Sequence, residues 1–255
     1  MIKQAKVIPI LFLLILVSSV VSFAQDMNTD AAKLYNEGNE MLKAGNYNGA
    51  ISNYDKALAI EKDYRIYYQK GIAQKKANNL EGSKASFEDC LKMKNDFEPG
   101  YNALGGVFFS MGDYTKAINN FEKVLTLSDN ASVQKKVKKN LSLAYAKLGN
   151  EEITNGNSQK AIESLNKAVE YEKYDAAYLS LAKLYSEMGE WNKSISAAES
   201  ALKNRSKITM GGPYFYMGVS YKGMGETQKA KEMFEKAKSD PTYRKTAEYE
   251  LSLIN

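Results

Sequence analysis

Beyond its N-terminus the chain alternates between short polar phrases and stretches in which apolar residues return every three or four positions, the period of an amphipathic helix. One stretch shows this plainly. Val133, Val137 and Leu141 are spaced by four and form an inward stripe, while Lys135, Lys136, Lys138 and Lys139 spread over the outer arc. One polar phrase recurs six times: Gly45-Asn-Tyr47 with Ala50, Asn78-Asn-Leu80 with Ser83, Gly112-Asp-Tyr114 with Ala117, Gly156-Asn-Ser158 with Ala161, Gly189-Glu-Trp191 with Ser194, and Gly225-Glu-Thr227 with Ala230. The starts lie 33, 34, 44, 33 and 36 residues apart, a period that marks stacked repeats of one unit. Each phrase opens with Gly or, once, Asn, the residues that tolerate the left-handed conformation closing a helix. The predicted unit is therefore helix, tight turn, helix.

Further columns follow from the position of the turn. Eleven residues before it stand Leu34, Tyr67, Tyr101, Tyr145, Tyr178 and Tyr214, and seven before it Gly38, Gly71, Gly105, Gly149, Ala182 and Gly218. Nine after it come Tyr54, Phe87, Phe121, Leu165, Ala198 and Phe234, and three later Ala57, Cys90, Val124, Ala168, Ala201 and Ala237. A glycine inside a helix costs about 1 kcal/mol relative to alanine, so a nearly invariant column needs a packing reason. The expectation is that these glycines face the Ala or Ser column of the second helix, where small side chains let two helices approach to about 8 to 10 Å. The large column then fills the space between helices and the small one admits the next unit.

This column order resembles the tetratricopeptide repeat, a family of helix-turn-helix units about 34 residues long. The resemblance covers residues 31–242 in six copies, about 31–63, 64–97, 98–127, 128–174, 175–210 and 211–242. It implies an all-α fold, a right-handed superhelix of stacked helix pairs whose first helices line a concave face, and protein–protein interaction as the role. The proline usual near the end of each unit is missing except for Pro99 and Pro241. One subgroup of the family clamps a C-terminal carboxylate with Lys and Asn, but the corresponding places here hold Tyr35, Asn39, Gln69, Pro99 and Ala103. Only Asn39 fits, so that ligand is not carried over. The 44-residue interval predicts an elongated first helix in the fourth unit, beginning near Ser128. Residues 243–255 are expected to cap the stack, with Tyr249, Leu253 and Ile254 inward and Arg244, Lys245, Glu248 and Glu250 outward.

The N-terminus has a different pattern. Lys3 and Lys6 precede Val7 to Ala24, which carries no charge, and Ser22 and Ala24 place small residues before Gln25. This is a secretory signal pattern, residues 1–24, with cleavage expected after Ala24 and a short linker over residues 25–30. An uncleaved membrane anchor is the rival reading. Both put the rest of the chain outside the cytoplasm, in the periplasm or secreted. With those two lysines set aside, 33 basic residues face 30 acidic ones, too near neutrality to indicate nucleic acid as a partner.

Composition closes several chemistries. The 255 residues include no His and one Cys, which excludes imidazole relays, imidazole zinc ligands and disulfides within the chain. Cys90 occupies a small buried column and reads as core. The tyrosines are mostly repeat-defining positions, and Gly211-Gly212-Pro213 is a spacer between units. Glu151 with Glu152, and Glu248 with Glu250, lie on diverging helix faces and do not converge for acid–base work. No catalytic, cofactor or metal site is expected.

The register instead points to the concave face. Its predicted lining is Tyr35, Asn39 and Leu42, Tyr68, Ile72 and Lys75, Asn102, Gly106 and Phe109, Ala146, Asn150 and Ile153, Leu179, Lys183 and Ser186, and Phe215, Val219 and Lys222. Aromatic and aliphatic groups beside amides and ammonium groups suit an extended peptide or a helix of a protein partner. The leading expectation is a non-enzymatic interaction scaffold outside the cytoplasm. The alternative is a structural subunit of an envelope or secretion assembly, contacting its neighbours through its convex face and the basic helix at Lys135, Lys136, Lys138 and Lys139.

Overall fold

The computed structural model describes residues 27–254, so the segment read as a signal peptide lies outside the described residues. Within them thirteen helices follow one another without a strand. They are α1 (Thr29–Lys43), α2 (Tyr47–Ile60), α3 (Tyr64–Lys76), α4 (Leu80–Met93), α5 (Glu98–Met111), α6 (Tyr114–Leu127), α7 (Ala131–Thr154), α8 (Ser158–Tyr171), α9 (Asp175–Glu187), α10 (Trp191–Lys203), α11 (Gly211–Gly223), α12 (Thr227–Ala237) and α13 (Arg244–Leu253). The first twelve pair into six hairpins that stack as a superhelix, and α13 closes the end. No described helix is long and apolar enough to cross a membrane.

Each hairpin turns on one left-handed residue: Gly45, Asn78, Gly112, Gly156, Gly189 and Gly225 have φ between 61° and 83°. The next residue is the N-cap of the second helix. In the first three units its side chain caps that helix, with Asn46, Asn79 and Asp113 accepting from the amides of Gly49, Gly82 and Lys116 at 2.9–3.0 Å. In the last three units Asn157, Glu190 and Glu226 stand there without a capping bond.

The glycine column meets the Ala or Ser column as expected, with β-carbons at Gly105 and Gly149 falling 3.2 Å from the Ala117 and Ala161 carbonyls, but it meets the large column more closely. A β-carbon at Gly38, Gly71, Gly105 or Gly218 would come within 2.6–2.7 Å of the ring of Tyr54, Phe87, Phe121 or Phe234, and one at Gly149 within 2.7 Å of Leu165 Cγ. The glycines thus face the large column, because the missing side chain is the seat of a ring. The Ala or Ser column lies behind, where it meets the same turn of backbone: Ser83 Oγ donates to the Gly71 carbonyl at 2.7 Å, and Ser194 Oγ to that of Ala182 at 2.8 Å. In the fifth unit Ala182 and Ala198, both fully buried, replace the glycine and the ring.

Helix α7 is 24 residues long. Its Val137, Leu141 and Ala144 belong to a core with Phe87, Phe108 and Phe121, while Ala146 belongs to the next core with Leu165, Leu181 and Met217. Between α10 and α11 the chain makes a wider excursion, held by Asp175. This buried carboxylate accepts through Oδ2 from the amides of Ser206, Lys207 and Ile208 at 2.6, 2.7 and 3.2 Å and from Ser206 Oγ at 3.2 Å. Burial alone would raise its pKa, but these donors outweigh that and hold it at about 2.

The last helix corrects one expectation. Ala247 and Leu251 are its buried residues, Tyr249 and Leu253 are 63% and 54% exposed, and Glu250 turns inward to pair with Lys222 at 2.7 Å. Ala247 and Leu251 face the core of the last unit with Ile254 packed beside them as expected, while Tyr249 and Leu253 fall on the solvent side.

Candidate functional site

The first helices of successive units lie side by side and bring part of the predicted lining together. Lys75 from α3, Asn102, Gly106, Phe109 and Ser110 from α5, and Asn140 and Leu143 from α7 border a cavity of about 360 Å³. Gly106 gives the ammonium its place, since a β-carbon there would stand 3.0 Å from Lys75 Nζ. Lys75 forms no ion pair among the described residues. The side chain is reachable by solvent, yet the groove crowds its end enough that burial lowers the pKa. Asn140 Nδ2 donates to Asn102 Oδ1 at 3.4 Å, which leaves the Asn102 amide hydrogens for a ligand. Ser110 Oγ donates to the Gly106 carbonyl at 2.9 Å and retains acceptor capacity. Phe109, half-buried against Tyr114 at 5.5 Å between ring centroids, forms the apolar wall.

Other predicted groove residues are already engaged. Tyr35 packs on Tyr54, and Tyr68 lies between Phe87 and Phe97, edge-on to the latter at 5.1 Å. Asn39 Oδ1 accepts from the Tyr54 hydroxyl at 2.8 Å, and Asn150 Oδ1 from Ser180 Oγ at 2.9 Å. Ile72 packs against the core around Phe87. Phe215 joins a cluster with Phe234 and Tyr243, Lys222 is paired with Glu250, and Lys183 stands 3.8 Å from Glu187. Ala146 and Ser186 are buried, not groove-facing. Asn140 and Ser110 were not singled out from the register. Asn140 reaches Asn102 only because α7 extends beyond the usual first helix, a length that the 44-residue interval did signal.

The charge pattern along the surface is uneven. Most ion pairs join a lysine to a carboxylate three or four residues away, as in Lys84–Glu81, Lys116–Asp113 and Lys193–Glu190. Ala131 to Asn150 contains no acidic residue, and Lys135, Lys136, Lys138 and Lys139 are exposed there. Cys90 is buried, and that burial pushes its thiol up to about 12, outside the range of a reactive thiolate. Among the described residues no group of three or more His, Cys, Asp or Glu side chains could hold a metal ion.

Stacked helix hairpins, a left-handed turn residue in each and cores shared between neighbours define an α-helical repeat solenoid. The profile of the tetratricopeptide repeat matches residues 64–97, 99–130 and 140–175, and a second profile of the same repeat matches residues 214–242. The chain belongs to the tetratricopeptide repeat family. It is similar in structure to the MamA protein, with 25% identity over 74% of this chain and 96% of that one and a TM-score of 0.50. YrrB, a TPR protein with an unusual peptide-binding site, is 20% identical over 77% of this chain and 96% of its own, with a TM-score of 0.52. MamA of Desulfovibrio magneticus RS-1, from residue 41 to its end, is 22% identical over 70% of this chain and 95% of its own, at 0.50. Among curated proteins, none matches the chain.

Proposed function

We propose that the chain is a non-enzymatic scaffold of the extracytoplasmic space that docks an extended peptide or a helix of a partner protein in its groove. The observation that carries this reading is the cavity between α3, α5 and α7. There an unpaired ammonium, free amide hydrogens and an aromatic wall face the same opening. An array of that kind fixes a segment by a few polar contacts while the apolar wall supplies burial. Peptides selected on the full chain from a displayed random library test it. Their affinity is expected to fall about tenfold or more in Lys75→Glu, the loss of a charge-assisted contact, and to fall in Phe109→Ala, with helix content unchanged. Unaltered affinity in both variants would sink the groove reading. The location rests on the charge-free stretch after Lys6. N-terminal sequencing of the protein from cell fractions should read Gln25 outside the cytoplasm, and an intact Met1 in the cytosol would remove that part of the proposal.

A second reading is an assembly subunit joined to its neighbours through α7. It is favoured by the four exposed lysines at 135, 136, 138 and 139 with no acidic residue on the same stretch of helix.

A further inference from the structure

A second cavity, about 330 Å³, shares Leu143 with the groove cavity and opens where α7 meets two loops between units. Three lysines border it from three separate segments: Lys139 on α7, Lys173 between α8 and α9, and Lys207 between α10 and α11. None of the three forms an ion pair among the described residues. Glu172 is the one carboxylate of the lining, so the charge around the opening is a net two positive.

Two features make this a formed site and not a chance meeting of surface side chains. Asp175 pins the amides of Ser206, Lys207 and Ile208, which fixes the loop that carries Lys207; with four donors bonded to one oxygen, its charge is spent on that loop. Ser142 belongs to the wall, and its hydroxyl is buried with no hydrogen-bond partner among the described residues. A buried hydroxyl left unbonded costs about 1 to 3 kcal/mol, which gives a native structure a reason to supply a partner there.

We propose that this cavity is a binding site for a tetrahedral dianion of the phosphate class, free or as a monoester. Lysine is a compact point charge suited to phosphate oxygens, and three lysines on separate segments suit an anion that presents oxygens in several directions better than a flat carboxylate. Two negative charges balance the lining, and the volume leaves room for a glycerol- or sugar-sized group beside the phosphate.

Isothermal titration calorimetry of the full chain with inorganic phosphate, glycerol 3-phosphate and glutarate, at one low ionic strength, tests this. The expected result is saturable binding of at least one phosphate compound, weakened about tenfold or more in Lys139→Gln/Lys173→Gln/Lys207→Gln. Binding should be retained in Lys135→Gln/Lys136→Gln, which changes neighbouring charges outside the cavity. Tighter binding of glycerol 3-phosphate than of phosphate supports an ester as the occupant, and the reverse supports free phosphate. No saturable binding of either overturns the proposal. So does glutarate binding as tight as phosphate, or an equal loss in both lysine variants, which would mean a diffuse positive surface.

Discussion

The second unit and the fifth solve one packing problem in different ways. In the second unit the Phe87 ring lies on Gly71, and Asn79 caps the second helix through the Gly82 amide. In the fifth, Ala182 meets Ala198, and Glu190 caps nothing but pairs with Lys193 at 2.6 Å. The fifth hairpin forms with neither the glycine nor the ring, so that pair is one way of filling the contact and not a condition of the fold.

Several changes would break or sharpen that contrast. The largest effect is expected for Phe87→Ala, which empties a fully buried site and should destabilise by about 3 to 5 kcal/mol in urea unfolding followed by helical circular dichroism. Gly71→Ala should cost about 1 to 3 kcal/mol through overlap with the same ring, while Ala182→Gly should cost only about 1 kcal/mol of helix propensity. The sharper test is a double-mutant cycle. Ala198→Phe alone overpacks against Ala182, and Ala182→Gly/Ala198→Phe should recover part of the loss; strict additivity would show that the fifth unit is not built on the same pairing. Acid titration comes next. The Asp175 carboxylate is held below its usual value of 3.8, so its contribution is complete above that pH and is lost as pH falls from 3.8 through about 2. That contribution, on the order of 2 kcal/mol, should vanish from the acid limb of the unfolding profile in Asp175→Asn. The smallest effect separates the caps: Asn46→Ala should cost about 1 kcal/mol, and Asn157→Ala close to nothing.

The repeat was legible because its turn imposes a backbone condition that few residues meet. Gly45, Asn78 and their equivalents occupy positive φ, and a requirement of that kind prints itself on the sequence at fixed spacing. Groove occupancy was less legible, because register tells which side of a helix a residue is on and not what the neighbouring unit sends to meet it. Tyr68 is on the groove side, yet Phe97 from the connection before α5 covers its edge. Lys222 is likewise on that side, but Glu250, 28 positions later, takes its charge. The seat of Trp191 was hidden for the same reason: a β-carbon at Gly223 would lie 2.6 Å from its indole, a contact between one unit's second helix and the next unit's first that no column within a unit reveals.

Helix α7 has one more consequence. Because a single uninterrupted helix places Ala144 in one core and Ala146 in the next, the middle of the solenoid is spliced by a strut rather than by a joint. In elastic terms the molecule is a spring with one stiffened coil. Pulled from its ends, every unit carries the same force, and the outer units should lengthen and come apart before the stiffer centre does, which would keep the segments that meet at α7 at a constant spacing while the rest of the array flexes.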